Sequence, residues 1–276
     1  MRRTLQEAAN FIAETLKEFD IVSSNRFQKM IAPFASGNNT IEPEDKQFLA
    51  ARAALRDLRI LEFCIDNLRW NIDEAILKSK LQEVVKEPLS PADKPSGGTR
   101  GRNTQAELFV AAICQKARLF PKFEEPDLLI RMPNGGDLAI AVKRPQSESK
   151  LNKLIREAIE QIRRSGYPGV IVVDGSLMAN PQNHELRGNI PADVVTDAAK
   201  IYVQELARQG MAFRKRRLKG VELVAIVFQF HVLQYRSGND WGLISVTIPL
   251  NPNKSNSRRT EMFERFEKAF SKGLPD

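Results

Sequence analysis

The segment PDLLIRMPNGGDLAIAVKRP, residues 126–145, contains two apolar runs joined by a turn that includes two glycines. Because the side chains of a β-strand alternate between its two faces, this pattern predicts an antiparallel hairpin with one apolar face. Across a three-residue loop Pro133 pairs with Asp137, and the same register pairs Asp127 with Lys143. The predicted core face carries Leu128, Ile130, Met132, Leu138, Ile140 and Val142.

The opposite face of the predicted hairpin carries Asp127 and Lys143 at one end, with Ala141 one strand step before the lysine. The small alanine side chain leaves space beside the two charged groups. An ordinary cross-strand ion pair would give the same pattern and contributes only about 0.2–1 kcal/mol to stability. The two charges therefore mark either a functional site or a structural pair.

The segments around the hairpin alternate between helix-type and strand-type patterns. Residues 104–120 and 147–166 have the apolar spacing of helices, and residues 169–177 form an apolar strand candidate. Another helix, two further strands and a terminal helix follow. This order predicts an α/β fold with a mixed sheet flanked by helices.

These residues resemble the motif of the PD-(D/E)xK nuclease superfamily, whose members share the restriction-endonuclease-like fold. Pro126 and Asp127 match the first half of the motif, Lys143 matches its last residue, and Glu107 matches an acid on the preceding helix. The resemblance covers residues 104–176. It implies a restriction-endonuclease-like mixed sheet, phosphodiester hydrolysis with Lys143 as a catalytic residue, and a Mg²⁺ or Mn²⁺ ion held by Asp127 and Glu107.

The chain departs from the family at Ala141, where the second acid of the motif belongs. Mg²⁺ requires several oxygen ligands, so a single carboxylate in the motif would hold it weakly. Three explanations stay open: an acid supplied by another part of the chain, a natural loss of activity, or a deliberate inactivating substitution. The third is favoured because the rest of the motif around Ala141 is intact.

The helix predicted at residues 147–166 contains two candidates for a further site residue. Glu157 lies about 130° from the centre of the buried stripe, which argues against its replacing the missing acid. Gln161 lies about 90° from that centre, at the edge of the stripe, and is the expected additional catalytic-site residue. For Glu107 a structural alternative exists, because it stands three residues after Thr104 and would complete a capping box.

The chain before the hairpin region divides into two parts. Residues 1–87 have helix-type apolar spacing and are predicted to form an all-helical domain that binds a partner protein or a second copy of the chain. Residues 88–103, with several prolines and glycines, are typical of a linker. Residues 104–276 are then the nuclease-like domain.

The charge balance favours a polyanionic partner. The chain has a net charge of +8, and the sequence RKRR contributes four consecutive basic residues. Basic side chains bind nucleic acid through phosphate contacts and counterion release, although a charged run is also typical of a solvated loop. The absence of an aromatic RNA-binding motif makes DNA the expected substrate, with RNA left open. The predicted nucleic-acid contacts are Arg144, Arg214, Lys215, Arg216 and Arg217.

Composition also argues against other classes of protein. The two cysteines lie in apolar segments without metal-ligand spacing, which disfavours a disulfide scaffold and a zinc site. No uncharged apolar run is long enough for a membrane span or a secretion signal, so a cytoplasmic protein is expected.

The sequence thus leads to two hypotheses about function. The first is a metal-dependent nuclease that acts on DNA in restriction or anti-phage defence and is inactivated in this chain at Ala141. The alternative is a catalytically inactive nucleic-acid-binding or assembly protein that retains the nuclease fold.

Overall fold

The computed structural model describes residues 3–21, 46–86, 100–132, 135–181, 184–208, 223–237, 240–250 and 257–275. The helices in these ranges are α1 (Leu5–Glu18), α2 (Lys46–Leu68), α3 (Glu74–Val85), α4 (Arg100–Lys116), α5 (Glu148–Ser165), α6 (Ser176–Ala179), α7 (Ala192–Arg208) and α8 (Ser257–Lys272). The strands are β1 (Leu128–Arg131), β2 (Asp137–Lys143), β3 (Gly169–Asp174), β4 (Leu186–Arg187), β5 (Leu223–Ser237) and β6 (Asp240–Leu250).

The contacts between residues divide the chain into two compact units. Unit 1 comprises residues 1–109, 182–190 and 231–244, and unit 2 comprises residues 110–181, 191–230 and 245–276. Most of the predicted linker, residues 88–103, lies outside the described residues, so the predicted domain boundaries stay a prediction. Helix α4 begins at Arg100, which is earlier than the predicted start at residue 104.

Unit 1 contains the N-terminal helices. The capping box of α1 joins Thr4 and Glu7, whose side chains each accept a hydrogen bond from the other residue's backbone amide. The apolar spacing predicted for α2 is confirmed where side chains are described, because Leu55, Leu58 and Leu61 are fully buried. In the same unit β4 pairs in parallel with the last part of β5.

Unit 2 contains a mixed sheet. β1 is antiparallel to β2, β2 is parallel to β3, and β3 is parallel to the first part of β5. Parallel neighbours need a crossover connection, which α5 provides between β2 and β3. The predicted α/β class with a mixed sheet and helices is therefore confirmed.

The register of the hairpin differs from the prediction by two residues. Leu128 pairs with Ile140 and Arg131 with Asp137, so one more step along the same register brings Asp127 opposite Ala141 rather than Lys143. The turn closes one residue earlier than predicted, because the Met132 amide donates to the Gly136 carbonyl at 3.0 Å and the two strands therefore meet at Met132 and Gly136. A shift of two residues leaves each side chain on its predicted face.

The predicted core face of the hairpin is confirmed, because all six of its apolar side chains are buried. The opposite face is buried as well, since both Ala139 and Ala141 are 0% exposed. Helix α5 lies on this second face. Gly169 of β3 pairs with Ala139 and so faces the same side of the sheet. The Ile162 side chain of α5 packs there, because a Cβ added at Gly169 would lie 2.6 Å from it. Small side chains on the second face therefore permit close packing of the helix on the sheet.

Candidate functional site

The candidate site is centred on a carboxylate and an ammonium group in unit 2. Asp127 Oδ2 accepts a hydrogen bond from the Val142 amide at 2.7 Å and lies 3.3 Å from Lys143 Nζ. The two charged side chains are 15% and 13% exposed respectively. Asp127 precedes β1 and Lys143 ends β2, so the hairpin itself holds the pair together.

Ala141 decides what this pair can do chemically. Its side chain is fully buried and supplies no oxygen ligand, and it lies one residue beyond Ile140, the partner of Leu128. The charge of the Asp127 carboxylate is balanced by Lys143. Within the described ranges no three His, Cys, Asp or Glu side chains are grouped so that they could hold a metal ion. The pair itself thus supplies one carboxylate, fewer oxygen ligands than Mg²⁺ prefers.

Glu107 lies in unit 1, where its Oε2 atom is 2.7 Å from Lys80 Nζ. The capping-box alternative for Glu107 is wrong, because α4 begins four residues before Thr104 and so places both residues inside the helix. The Thr104 hydroxyl instead donates to Glu83 and to the Arg100 carbonyl. Glu107 thus joins α4 to α3 through an ion pair.

The two candidates on α5 occupy different surroundings. Glu157 is 49% exposed and lies 3.8 Å from Lys153. Gln161 is adjacent to Ile162, which packs at Gly169, the first residue of β3. Lys143 is four residues further along β2 than the partner of Gly169, about 13 Å at the usual strand rise. Ile162 therefore packs at the amino end of β3, whereas Lys143 lies at the carboxyl end of β2, and the role of Gln161 at the site stays a prediction.

The Gln161 carbonyl oxygen has its own buried environment. Oε1 of Gln161 is buried and has no hydrogen-bond partner among the described residues. A buried acceptor without a donor usually binds water or a ligand group.

Arg144 follows Lys143 directly, one residue after β2 ends. Its side chain is 6% exposed, and its Nε atom is 3.0 Å from Asp174 Oδ2. Asp174 Oδ1 also accepts a hydrogen bond from the Ser176 amide at 3.0 Å. Arg144 and Asp174 therefore form a buried ion pair at the carboxyl ends of β2 and β3.

The sequence reasoning missed Asp174 as the partner of Arg144. The available signal was an aspartate directly after an apolar strand, since polar residues there gather at one edge of a parallel sheet. The predicted contacts Arg214, Lys215, Arg216 and Arg217 lie outside the described residues.

Comparisons with known proteins found no match to this chain among family models, curated proteins or solved structures. The resemblance to the PD-(D/E)xK superfamily therefore rests on the motif residues alone. In the described part of the chain, no helix is both long enough and apolar enough to span a membrane.

Proposed function

We propose that this protein binds nucleic acid through a nuclease-like core and does not hydrolyse phosphodiester bonds while alanine occupies position 141. The proposal joins the charge of the chain to the chemistry of the candidate site. It is the second of the two hypotheses that the sequence leaves open.

The order of elements in unit 2 supports a restriction-endonuclease-like core. A helix segment, an antiparallel hairpin, a second helix and a strand parallel to the hairpin follow one another, as the resemblance implies. The Pro-Asp dipeptide stands at the start of the hairpin and the motif lysine ends it. Fold resemblance by itself leaves the function open.

The ion pair between Asp127 and Lys143 beside the buried Ala141 is the observation that carries the proposal. Metal-dependent hydrolysis needs ligands that hold the ion and activate water. Here one carboxylate is available, and its charge is matched by an ammonium group 3.3 Å away. Such a pair stabilises the hairpin and does not require a metal ion.

Electrostatics supports nucleic acid as the partner. The chain carries 42 Lys and Arg against 34 Asp and Glu, which leaves a net charge of +8. A positive surface attracts a polyanion over several ångströms and releases its condensed counterions on binding. We therefore expect binding that weakens steeply with salt and does not depend on divalent metal.

A metal-dependent nuclease is the second candidate. It is favoured by the register, because an acid at position 141 would stand opposite Asp127 and beside Lys143. Two carboxylates in that arrangement are the ligands that the family resemblance implies for Mg²⁺ or Mn²⁺. DNA cleavage in restriction or anti-phage defence would be its setting.

Fluorescence anisotropy with labelled single-stranded DNA, duplex DNA and RNA tests the first proposal, with EDTA, Mg²⁺ or Mn²⁺ added. Binding in EDTA with no cleavage in either metal is the expected result. Metal-dependent cleavage by the unmodified chain that Asp127→Asn abolishes would establish the nuclease instead. If the chain binds none of the three nucleic acids at low salt, the proposed binding function is wrong.

A further inference from the structure

A short segment before the Pro-Asp dipeptide extends the sheet of unit 2 beyond β1. Lys122 and Leu129 exchange two backbone hydrogen bonds, of 2.8 and 2.9 Å. Cross-strand partners have side chains on the same face, so Lys122 shares the face of Leu129. Arg131 also lies on this face, since it is two residues beyond Leu129.

Phe120 stands at an irregular point in this pairing and projects into solvent. The Arg131 amide donates to the Leu119 carbonyl at 3.1 Å, which interrupts the register set by Lys122 and Leu129. The Phe120 side chain is 64% exposed, whereas Leu119 is fully buried. Its backbone φ is 44°, a left-handed conformation that is unfavourable for a bulky residue. The chain thus accepts an unfavourable backbone conformation in a segment that exposes an aromatic ring.

The two paired segments that include Phe120 also carry three basic residues. Arg118 and Lys122 are exposed, and neither makes an ion pair within the part of the chain that the structure describes. The Arg131 side chain is 72% exposed, with Nε 3.2 Å from Asp137. Three exposed cations therefore lie on the paired segments that carry this exposed ring, and among the described residues only Arg131 is in an ion pair.

We infer that this edge strip, defined as Arg118, Phe120, Lys122 and Arg131, binds a single-stranded stretch of nucleic acid. A base would stack on the Phe120 ring while the basic side chains contact the flanking phosphates. Stacking on an exposed ring requires an unpaired base, because the base faces are covered inside a duplex. The inference rests on the proposed function and names its substrate class.

The strip is continuous with the candidate site. Residues 123–126 connect Lys122 to Asp127 along the chain, and Lys122 pairs with Leu129, two residues after Asp127. Two exposed acids, Glu124 and Glu125, occupy this connection. We expect the phosphates to lie along the basic side chains and away from these two carboxylates.

The test compares Phe120→Ala with Tyr167→Ala, a matched control at an aromatic residue that is 41% exposed elsewhere in unit 2. Anisotropy with single-stranded DNA, single-stranded RNA and duplex DNA measures affinity at fixed salt. Phe120→Ala should weaken single-strand binding about tenfold, the loss expected when one base stops stacking, and Tyr167→Ala should not. Phe120→Trp should retain the affinity, which excludes a general loss of folding as the cause.

A second variant, Lys122→Gln with Arg118→Gln, should reduce the salt dependence of binding on the same oligonucleotides. If the unmodified chain binds and both Phe120→Ala and the charge variant bind equally well, the edge strip is not the binding surface and the proposed function survives. If the unmodified chain binds no nucleic acid, both the proposed function and this inference are wrong. Equal loss on duplex and single-stranded DNA would overturn the assignment to unpaired bases.

Discussion

Asp127 and Lys143 form a mostly buried ion pair at the end of the hairpin, with 3.3 Å between Oδ2 and Nζ. The same carboxylate oxygen accepts the Val142 amide at 2.7 Å. Removing the acid therefore leaves both a buried ammonium group and a backbone donor without this acceptor. The stability of unit 2 should respond to Asp127 even if the site has no catalytic role.

Asp127→Ala is expected to lower the free energy of unfolding by about 2–3 kcal/mol, the cost of leaving a mostly buried charge unpaired. Adding Lys143→Met should recover part of that loss, because the unpaired ammonium is then removed. Urea denaturation of the two variants measures both effects. A loss below about 0.5 kcal/mol for Asp127→Ala would mean that the pair is a solvated surface contact.

Ala141→Glu tests the position of the missing acid. Because Ala141 is 0% exposed beneath α5, a larger and charged side chain should destabilise the chain by more than about 2 kcal/mol without metal. Ala141→Gln is the matched control, with the same size and no charge. Mn²⁺ should raise the melting temperature of Ala141→Glu and leave that of Ala141→Gln unchanged.

Ala141→Glu is also expected to produce Mg²⁺- or Mn²⁺-dependent cleavage of DNA that EDTA abolishes. Two carboxylates would then face one another across the hairpin, as metal-assisted hydrolysis requires. Adding Lys143→Ala or Asp127→Ala should remove the activity again. Folded Ala141→Glu protein that binds metal and cleaves neither DNA nor RNA would argue against the nuclease-like core.

Gly169→Ala tests the packing of α5 on the sheet. The added Cβ would lie 2.6 Å from Ile162, so a loss of about 2 kcal/mol or more is expected. The cost should shrink when Ile162 is also replaced by alanine, and a double-mutant cycle measures this coupling. Gly166→Ala is the control: its φ of 74° carries a backbone cost, but no atom lies within 4 Å of the added Cβ. Purely additive effects would mean that Ile162 does not contact the start of β3.

Tyr202 gives a pH-dependent prediction. Burial raises the pKa of Tyr202, and the hydrogen bond that its hydroxyl donates to Glu148 raises the pKa further. A phenol with a raised folded-state pKa contributes stability that is fully present below its unfolded pKa of about 10. That contribution is lost as pH rises through the folded pKa.

Tyr202→Phe should therefore cost about 1 kcal/mol at neutral pH and progressively less above about pH 10. Urea denaturation of both proteins between about pH 7 and 11 measures the difference between their free energies of unfolding. Groups that titrate in both proteins contribute equally to the two values and cancel in this difference. A difference that stays constant with pH would show that the hydroxyl has the same environment in the folded and unfolded states.

The basic segment outside the described residues gives a prediction from sequence alone. Replacing Arg214, Lys215, Arg216 and Arg217 by glutamine should weaken binding to all nucleic acids. On duplex DNA the slope of log K against log salt concentration should become shallower by about 0.9 for each lost phosphate contact. Lys200→Gln with Arg208→Gln is the control, because both cations are exposed on α7 and paired with acids. Unchanged affinity and salt slope in the fourfold variant would identify the segment as a solvated loop.

The periodicity of apolar residues along the sequence predicted the buried faces of the main elements in unit 2. The alternation along residues 128–142 predicted the buried face of the hairpin. The apolar spacing of α5 predicted a stripe in which Leu154 is half-buried and the other members are buried: Leu151, Ile155, Ala158, Ile159 and Ile162. These properties follow from the geometry of a strand and a helix, which repeats every two and 3.6 residues. The mixed α/β class followed from the order of these elements.

The pairing partners of the charged residues depended on tertiary structure. The sequence places Asp127 and Lys143 on one face, but the position of the turn decides the register, in which Leu128 pairs with Ile140. Glu107 pairs with Lys80 and Arg144 with Asp174, each across at least 27 residues of chain. Periodicity carries no information about such partners, because they belong to different elements and meet only when those elements pack. The same packing of α5 on the sheet buries Ala141, which the sequence shows only as a small residue beside two charges.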